Sequence, residues 1–260
     1  MSLQEIHGPG DVTFIGLQNY RALANEQFAH AIMNSAVYTI LTIAILVPLP
    51  LVLAVFINAQ TTRLRGFFKS AYFLPALTSV VVAGLFFRFA FSAQETAFIN
   101  KLVATIGGTP KDWLFQRWTT MFVLVLFCTW RWFGVNIIYF LSGLNAIPQE
   151  QYEAAEIDGA SPFQRFFFIT LPNLKAVTVY VVTISVYGGF AMFAESFTMF
   201  GSARSPGDIG LTIVGYIYLE GFNFARFGMG SAIGVTLFVI IMTVNLIQLS
   251  FTGTFRKKGN

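Results

Sequence analysis

Arg131 and Glu195 are the residues best placed to do chemistry, because each lies inside a long apolar run. An ionised side chain is expensive there unless it meets a partner charge, an aqueous path or the interior of a bundle. Counting about 1.5 Å per helical residue puts Arg131 roughly 20 Å and Glu195 roughly 27 Å along their runs, close enough to share one layer. Two readings stay open. In one, Arg131, Glu195 and Asn136 line a translocation path, with Trp130 or Trp132 offering an aromatic face to a solute. In the other, Arg131 and Glu195 form a structural ion pair. Arg88, near the end of its run, is read as snorkelling to an interface.

The catalytic inventory is thin. His7 and His30 are isolated, and Cys128 is the only cysteine and lies inside an apolar run. No spacing resembles a metal-ligand set, a nucleophile–base pair or a G-x-x-x-x-G-K-[ST] phosphate cradle. The expectation is a protein with no catalytic residues, no metal and no nucleotide of its own. The net charge of +4 is dispersed over the ends of the apolar runs, which argues against nucleic acid as a partner.

One charged, turn-broken segment stands out between two apolar runs: "EQYEAAEIDGASPFQRFFFITLP", from Glu150 to Pro172. Pro148 suits the first turn of a helix, and Glu150 and Glu153 lie near its positive end. Gly159 supplies a stop. Ser161, Pro162 and Gln164 then read as N-cap, first helical residue and third position of a capping box. The spacing predicts helix, tight turn and second short helix, closed by Pro172. Tyr152, Ala155 and Gly159 share one face of the first helix, where small side chains allow another protein surface close approach. Phe163, Phe166 and Phe167 give the second helix a bulky apolar side.

The elements that hold these residues are membrane spans. The chain has 260 residues, 55% hydrophobic and only 11% charged, against about a quarter charged in soluble domains. Apolar runs near 31–57, 67–91, 119–144, 174–200 and 229–251 are each long enough to cross a bilayer. The fold expected is all-α, a polytopic bundle of about five spans. Pro48 and Pro50 should bend the first span and Pro75 interrupt the second. Gly188, Gly189, Gly228, Gly230 and Gly234 permit close helix packing, and Asn245 and Gln248 are read as hydrogen-bonding to another helix. Trp113 and Trp118 are read as interfacial anchors.

Basic residues in short connections set the orientation. Arg63, Arg65 and Lys69 follow the first span, and Arg256, Lys257 and Lys258 end the chain. Both ends should be cytosolic, which by alternation places the 145–173 loop in the cytosol and 92–118 and 201–228 outside. Five spans with a cytosolic C-terminus put the N-terminus outside, although "MSLQEIHGPGDVTF" has no secretory-signal pattern.

"EAA", three residues, Gly159, nine residues, then Ile169, Leu171 and Pro172 resembles the complete EAA signature of ABC importer permeases. "IPQEQYEAAEIDGASPFQRFFFITLP" is similar to the binding-protein-dependent carbohydrate permeases of the maltose and glycerol-phosphate type. "FIGLQNY", "RGFFKSAYFLPALTSVVVAGLFFRFAF" and "LTIVGYIYLEGF" resemble further segments in the same order, so the likeness covers nearly the whole chain. It implies one permease domain over 1–260 in the cytoplasmic (inner) membrane. The 145–173 loop would be a coupling helix docked in a groove of a separate ATPase, through Glu153, Ala154, Ala155, Gly159, Ile169, Leu171 and Pro172. It implies a second, homologous permease, two ATP-binding subunits that hold the ATP, an extracytoplasmic solute-binding protein and a carbohydrate solute, whose ring the path aromatics would face. The family pattern has six spans, and the one before "FIGLQNY" is not in this sequence; the expectation is a gene start placed late. The alternative from another class is a stand-alone ion- or proton-coupled carrier, which needs more intramembrane acids than Glu195 and usually internal repeats.

Overall fold

The computed structural model describes residues 1–8, 11–59 and 65–253; Arg63, Arg256, Lys257 and Lys258 lie outside them. The chain opens with a short antiparallel hairpin, β1 (Gln4–Gly8) and β2 (Asp11–Phe14), and the rest of its described regular structure is helical, in keeping with the all-α class expected. Helices follow: α1 (Gln18–Ala22), α2 (Glu26–Leu46), α3 (Pro48–Ala59), α4 (Arg65–Leu77), α5 (Val80–Ala90), α6 (Phe98–Thr105), α7 (Arg117–Asn145), α8 (Gln149–Ile157), α9 (Pro162–Arg165), α10 (Leu171–Asn173), α11 (Lys175–Phe190), α12 (Ala194–Phe200), α13 (Ile213–Tyr218) and α14 (Phe227–Phe251).

Four stretches among the described residues are long and apolar enough to cross a membrane: Glu26–Asn58, Arg117–Asn145, Lys175–Phe200 and Phe227–Phe251. A fifth, Ala71–Leu77 with Val80–Ala90, is broken in its middle. Pro75 lies inside α4, and the helix stops after Leu77, two residues beyond it. In the first span only Val47 separates α2 from α3. Pro48 opens α3, where a missing N–H costs nothing, but Pro50 leaves the carbonyl of Leu46 without its intrahelical donor.

The chain divides into two compact units, and the division falls inside each of the four long stretches. The first unit holds Met1–Thr42, Thr78–Cys128 and Val186–Ile247. Its irregular segments are pinned by buried polar side chains. Asn100, fully buried, donates to the carbonyls of Ser92, Gln94 and Lys111 and accepts from the Lys111 amide and the Trp113 indole. Trp113 is therefore an internal strut rather than an interfacial anchor, its ring edge-on to Phe91; Trp118 is the exposed one. Asn34 on α2 donates to the carbonyls of Asp208 and Leu211, and Ser35 accepts from the Ile213 amide. Gly84 on α5 lies against Thr198 on α12, and Gly189 against Thr39, so neither site has room for a Cβ. Gly188 and Gly234 face open space, contrary to the packing role expected of them.

The second unit holds Ile43–Leu77, Thr129–Ser185 and the chain from Gln248. Its core joins Leu51 and Ala54 on α3, Ile137, Phe140, Leu141 and Leu144 on α7, and Leu174 and Val181 around α11. Gly134 brings α7 against the backbone of Tyr72 on α4, where any Cβ would overlap the Tyr72 carbonyl oxygen. Gln248 spans to α11 as expected, donating to the Val179 carbonyl at 3.1 Å and accepting from Thr183 at 3.0 Å. Asn245 instead donates within its own helix, to Ile241.

Candidate functional site

The segment from Asn145 to Asn173 is a helical hairpin attached to the core of the second unit. Its first arm, α8, starts at Gln149, with Pro148 in the cap position one residue earlier than the sequence suggests. The arm ends in a Schellman motif: the Ala160 amide donates to the Ala155 carbonyl at 2.8 Å and the Gly159 amide to the Glu156 carbonyl at 3.0 Å. This requires a left-handed residue at Gly159, whose φ is +77°, and a Cβ there would meet nothing within 4 Å. Glycine is needed here for backbone conformation, not for space within the subunit.

The second arm opens with the expected capping box, the Gln164 amide donating to Ser161 Oγ at 3.3 Å and the Ser161 amide to Gln164 Oε1 at 2.8 Å. Pro172 does not close this arm. A π-helical turn over Phe166–Thr170 precedes α10, and the chain continues helically into α11. The widened turn accommodates the proline ring and its missing donor. Asn173 Nδ2 caps the Ile169 carbonyl at 2.8 Å.

Three contacts tie the arms together. Tyr152 and Thr170 share a hydroxyl hydrogen bond of 2.9 Å, Asn173 Nδ2 donates to Gln151 Oε1 at 3.0 Å, and Arg165 meets Glu156 at 3.3 Å. The Thr170 side is buried, and Phe166 packs against the core. Tyr152 and Ala155 are half-buried and make the inner face of α8, whereas Glu153, Ala154 and Gly159 are exposed. Ile169 is half-buried; Leu171 and Pro172 are exposed. Three large apolar side chains are exposed on this loop, Ile157 at 87%, Phe163 at 73% and Phe168 at 78%. Phe163 and Phe167 rings pair at 4.5 Å. Ile157 and Phe168 escaped the sequence reading, since helical spacing alone does not say which side the core will claim.

The residues expected along a solute path are distributed over both units. Arg131 is half-buried on α7, with its guanidinium 5.5 Å from the centre of the Trp132 ring. Trp130 and Trp132 are 40% and 42% exposed; two residues apart on a helix, they project about 200° from each other, so one surface does not hold both. Asn136 is 4% exposed and donates its amide to the Leu46 carbonyl at 2.8 Å. Its polar group thus serves the break in the first span. Glu195 belongs to the first unit, half-buried in the opening turn of α12, where the helix dipole favours a carboxylate. Beside it Phe193, Phe197 and Tyr218 form a ring cluster with centroids 5.2 to 5.6 Å apart.

Known proteins share this arrangement of sequence. The family described as binding-protein-dependent transport system inner membrane component matches residues 28–257. The arabinooligosaccharides transport system permease protein AraP of Bacillus subtilis (strain 168) is 49% identical over 259 residues, 100% of this chain and 82% of that protein. The lactose transport system permease protein LacF of Rhizobium radiobacter is 30% identical over 248 residues, 94% of this chain and 82% of its own length. Among solved structures, a bacterial alginate ABC transporter in complex with an alginate pentasaccharide-bound periplasmic protein has a chain that superposes with a TM-score of 0.84 at 24% identity, covering 95% of this chain and 85% of that one. The likeness to that chain establishes a shared fold.

Proposed function

The chain belongs to the binding-protein-dependent transport system inner membrane components, a multi-pass membrane subunit of an importer and not an enzyme, and from that premise we propose that it carries a carbohydrate across the membrane by coupling its helices to a separate ATPase. The carbohydrate class is supported by the names of its relatives, which handle arabinooligosaccharides and lactose. Arg131 leaves room for an anionic sugar. In this reading the chain pairs with a second, homologous permease and two ATP-binding subunits, receives solute from an extracytoplasmic binding protein, and keeps its C-terminus in the cytosol. The ATP is held by the partner subunits.

The observation that carries the coupling reading is the hairpin itself. A lever must be stiff along its length and adhesive at its tip. Three cross-links, a Schellman stop and a capping box stiffen the 145–173 loop, and its root is packed on the α3–α7–α11 core. Near its tip it exposes Ile157 and Phe163, and further along the second arm Phe168. Docked in an ATPase groove, these side chains would be buried, gaining roughly 25 cal/mol for each Å² of apolar surface removed from water. Closure of the ATPase pair would then move the hairpin and, with it, the spans that alternate access to the path, where Arg131 with Trp130 or Trp132, and Glu195, remain the candidate solute contacts.

Reconstituted in liposomes with its partners, the chain should import a labelled oligosaccharide only when ATP and the binding protein are supplied. Ile157→Asp should uncouple the complex, leaving ATP hydrolysis that no longer responds to solute. Uptake driven by an ion gradient in the absence of the ATPase would favour the stand-alone carrier instead.

A further inference from the structure

We propose that the cleft between the C-terminal end of α5 and the start of α6 is a binding site for the head of an anionic phospholipid, with Arg88 as its cation. The cleft has a volume of about 530 Å³ and is lined by Phe86, Arg88, Phe89, Ser92, Thr96 and Phe98, among others, none of them acidic. Arg88 is exposed and makes no hydrogen bond or ion pair with any described residue; its guanidinium lies beside Gly201, the C-cap of α12, and offers five donors in a planar fork. The aromatic walls are open too: Phe86, Phe89 and Phe98 are 64%, 69% and 60% exposed.

The surroundings place this cleft where hydrocarbon meets head groups. Helix α5 buries Ala83, Gly84, Phe87 and Ala90 and turns Val81, Val82, Leu85, Phe86 and Phe89 outward, an apolar face that suits lipid tails. On α6 and just beyond, Phe98, Leu102 and Ile106 recur at four-residue intervals and are all exposed, with Lys101 beside them. That is the pattern of a short helix lying in a membrane interface. The cleft is also preformed, because buried Asn100 holds the carbonyls of Ser92 and Gln94 in place.

Charge and shape together select the ligand. A free anion would satisfy Arg88 without engaging the three phenylalanines, and a neutral hydrophobe would do the reverse. A phosphodiester matches the guanidinium fork, while its acyl chains cover the rings. The inference rests on the chain being a membrane protein and not on the solute or the direction of transport.

Native mass spectrometry of the assembled complex, titrated with phosphatidylglycerol, phosphatidylcholine or inorganic phosphate, tests it. Retention of phosphatidylglycerol over phosphatidylcholine is expected, with the preference falling about fivefold in Arg88→Gln and persisting in Lys111→Gln. Should the glutamine variant not assemble, Phe89→Asp supplies a countercharge at an exposed position and should give the same loss. Equal lipid retention in the variant and the parent, or displacement of the lipid by millimolar inorganic phosphate, would overturn the assignment. ATP-driven uptake is a separate readout, so a failed import reading would leave the lipid result standing.

Discussion

Asn136 on α7 donates its amide to the carbonyl of Leu46, 2.8 Å away and 90 residues earlier in the chain. That carbonyl is the one Pro50 cannot serve, because the fourth residue along the helix has no N–H. A polar group in the middle of a span would cost several kcal/mol in hydrocarbon without a partner, and so would the orphaned carbonyl. Each cancels the other's cost. The proline break in the first span and the asparagine in α7 are one device.

The pair predicts a particular non-additivity. Asn136→Ala alone should lower the thermal stability of the purified complex by about 1–3 kcal/mol, the cost of an unsatisfied buried carbonyl. Pro50→Ala restores an intrahelical donor, so in that background the same substitution should cost at least about 1 kcal/mol less. Equal costs in the two backgrounds, read from a double-mutant cycle of melting curves, would mean the hydrogen bond carries no weight.

Gly159 should respond to conformation before size. Its φ of +77° penalises a side chain by about 1 kcal/mol for alanine and less for asparagine, which tolerates the left-handed region. Solute-stimulated ATP hydrolysis is expected to fall in the order Gly, Asn, Ala. Gly159 is exposed and a Cβ there meets nothing within 4 Å of the subunit, so a loss beyond the alanine value in a bulkier variant points to a partner surface.

Neighbouring glycines should behave differently. Gly189→Ala drives a methyl group into Thr39, whereas Gly188→Ala finds open space. Overpacking of this kind costs about 1–3 kcal/mol, so the first substitution should lower the melting temperature and the second leave it within error. Gly134→Ala, against the Tyr72 backbone, should be the most damaging of the three, since a carbonyl cannot rotate away as a side chain can.

Tyr152→Phe keeps the ring and removes only the 2.9 Å contact with Thr170. The loss of about 0.5–1.5 kcal/mol falls on the hairpin rather than on the bundle. The expected result is near-normal assembly with fewer solute molecules moved per ATP, measured in proteoliposomes. A ratio identical to that of the parent would show that the strut is dispensable.

What was legible in the sequence was local. The Ser161–Gln164 box and the Gly159 stop are written within a few residues, and both fold as read. The spans were legible because length and apolarity suffice to find them. Pro172 misled because proline signals an end only when the helix cannot widen, and here a π-turn lets it continue. Asn136 looked like a path residue because its partner, the Leu46 carbonyl, is distant in sequence and has no side-chain signature. Trp113 was misassigned for the same reason: its indole is claimed by Asn100, thirteen residues earlier, inside a loop whose closure no periodicity announces.

The most direct measurement is a cross-link from the tip of the hairpin. Ala154→Cys and Ile157→Cys, each in a Cys128→Ser background, sit at exposed positions on α8 and can be treated with a short bifunctional reagent in proteoliposomes shown to import. The account predicts capture of an ATP-binding subunit and arrest of uptake on cross-linking. An importing preparation in which neither position ever captures a nucleotide-hydrolysing neighbour would contradict it.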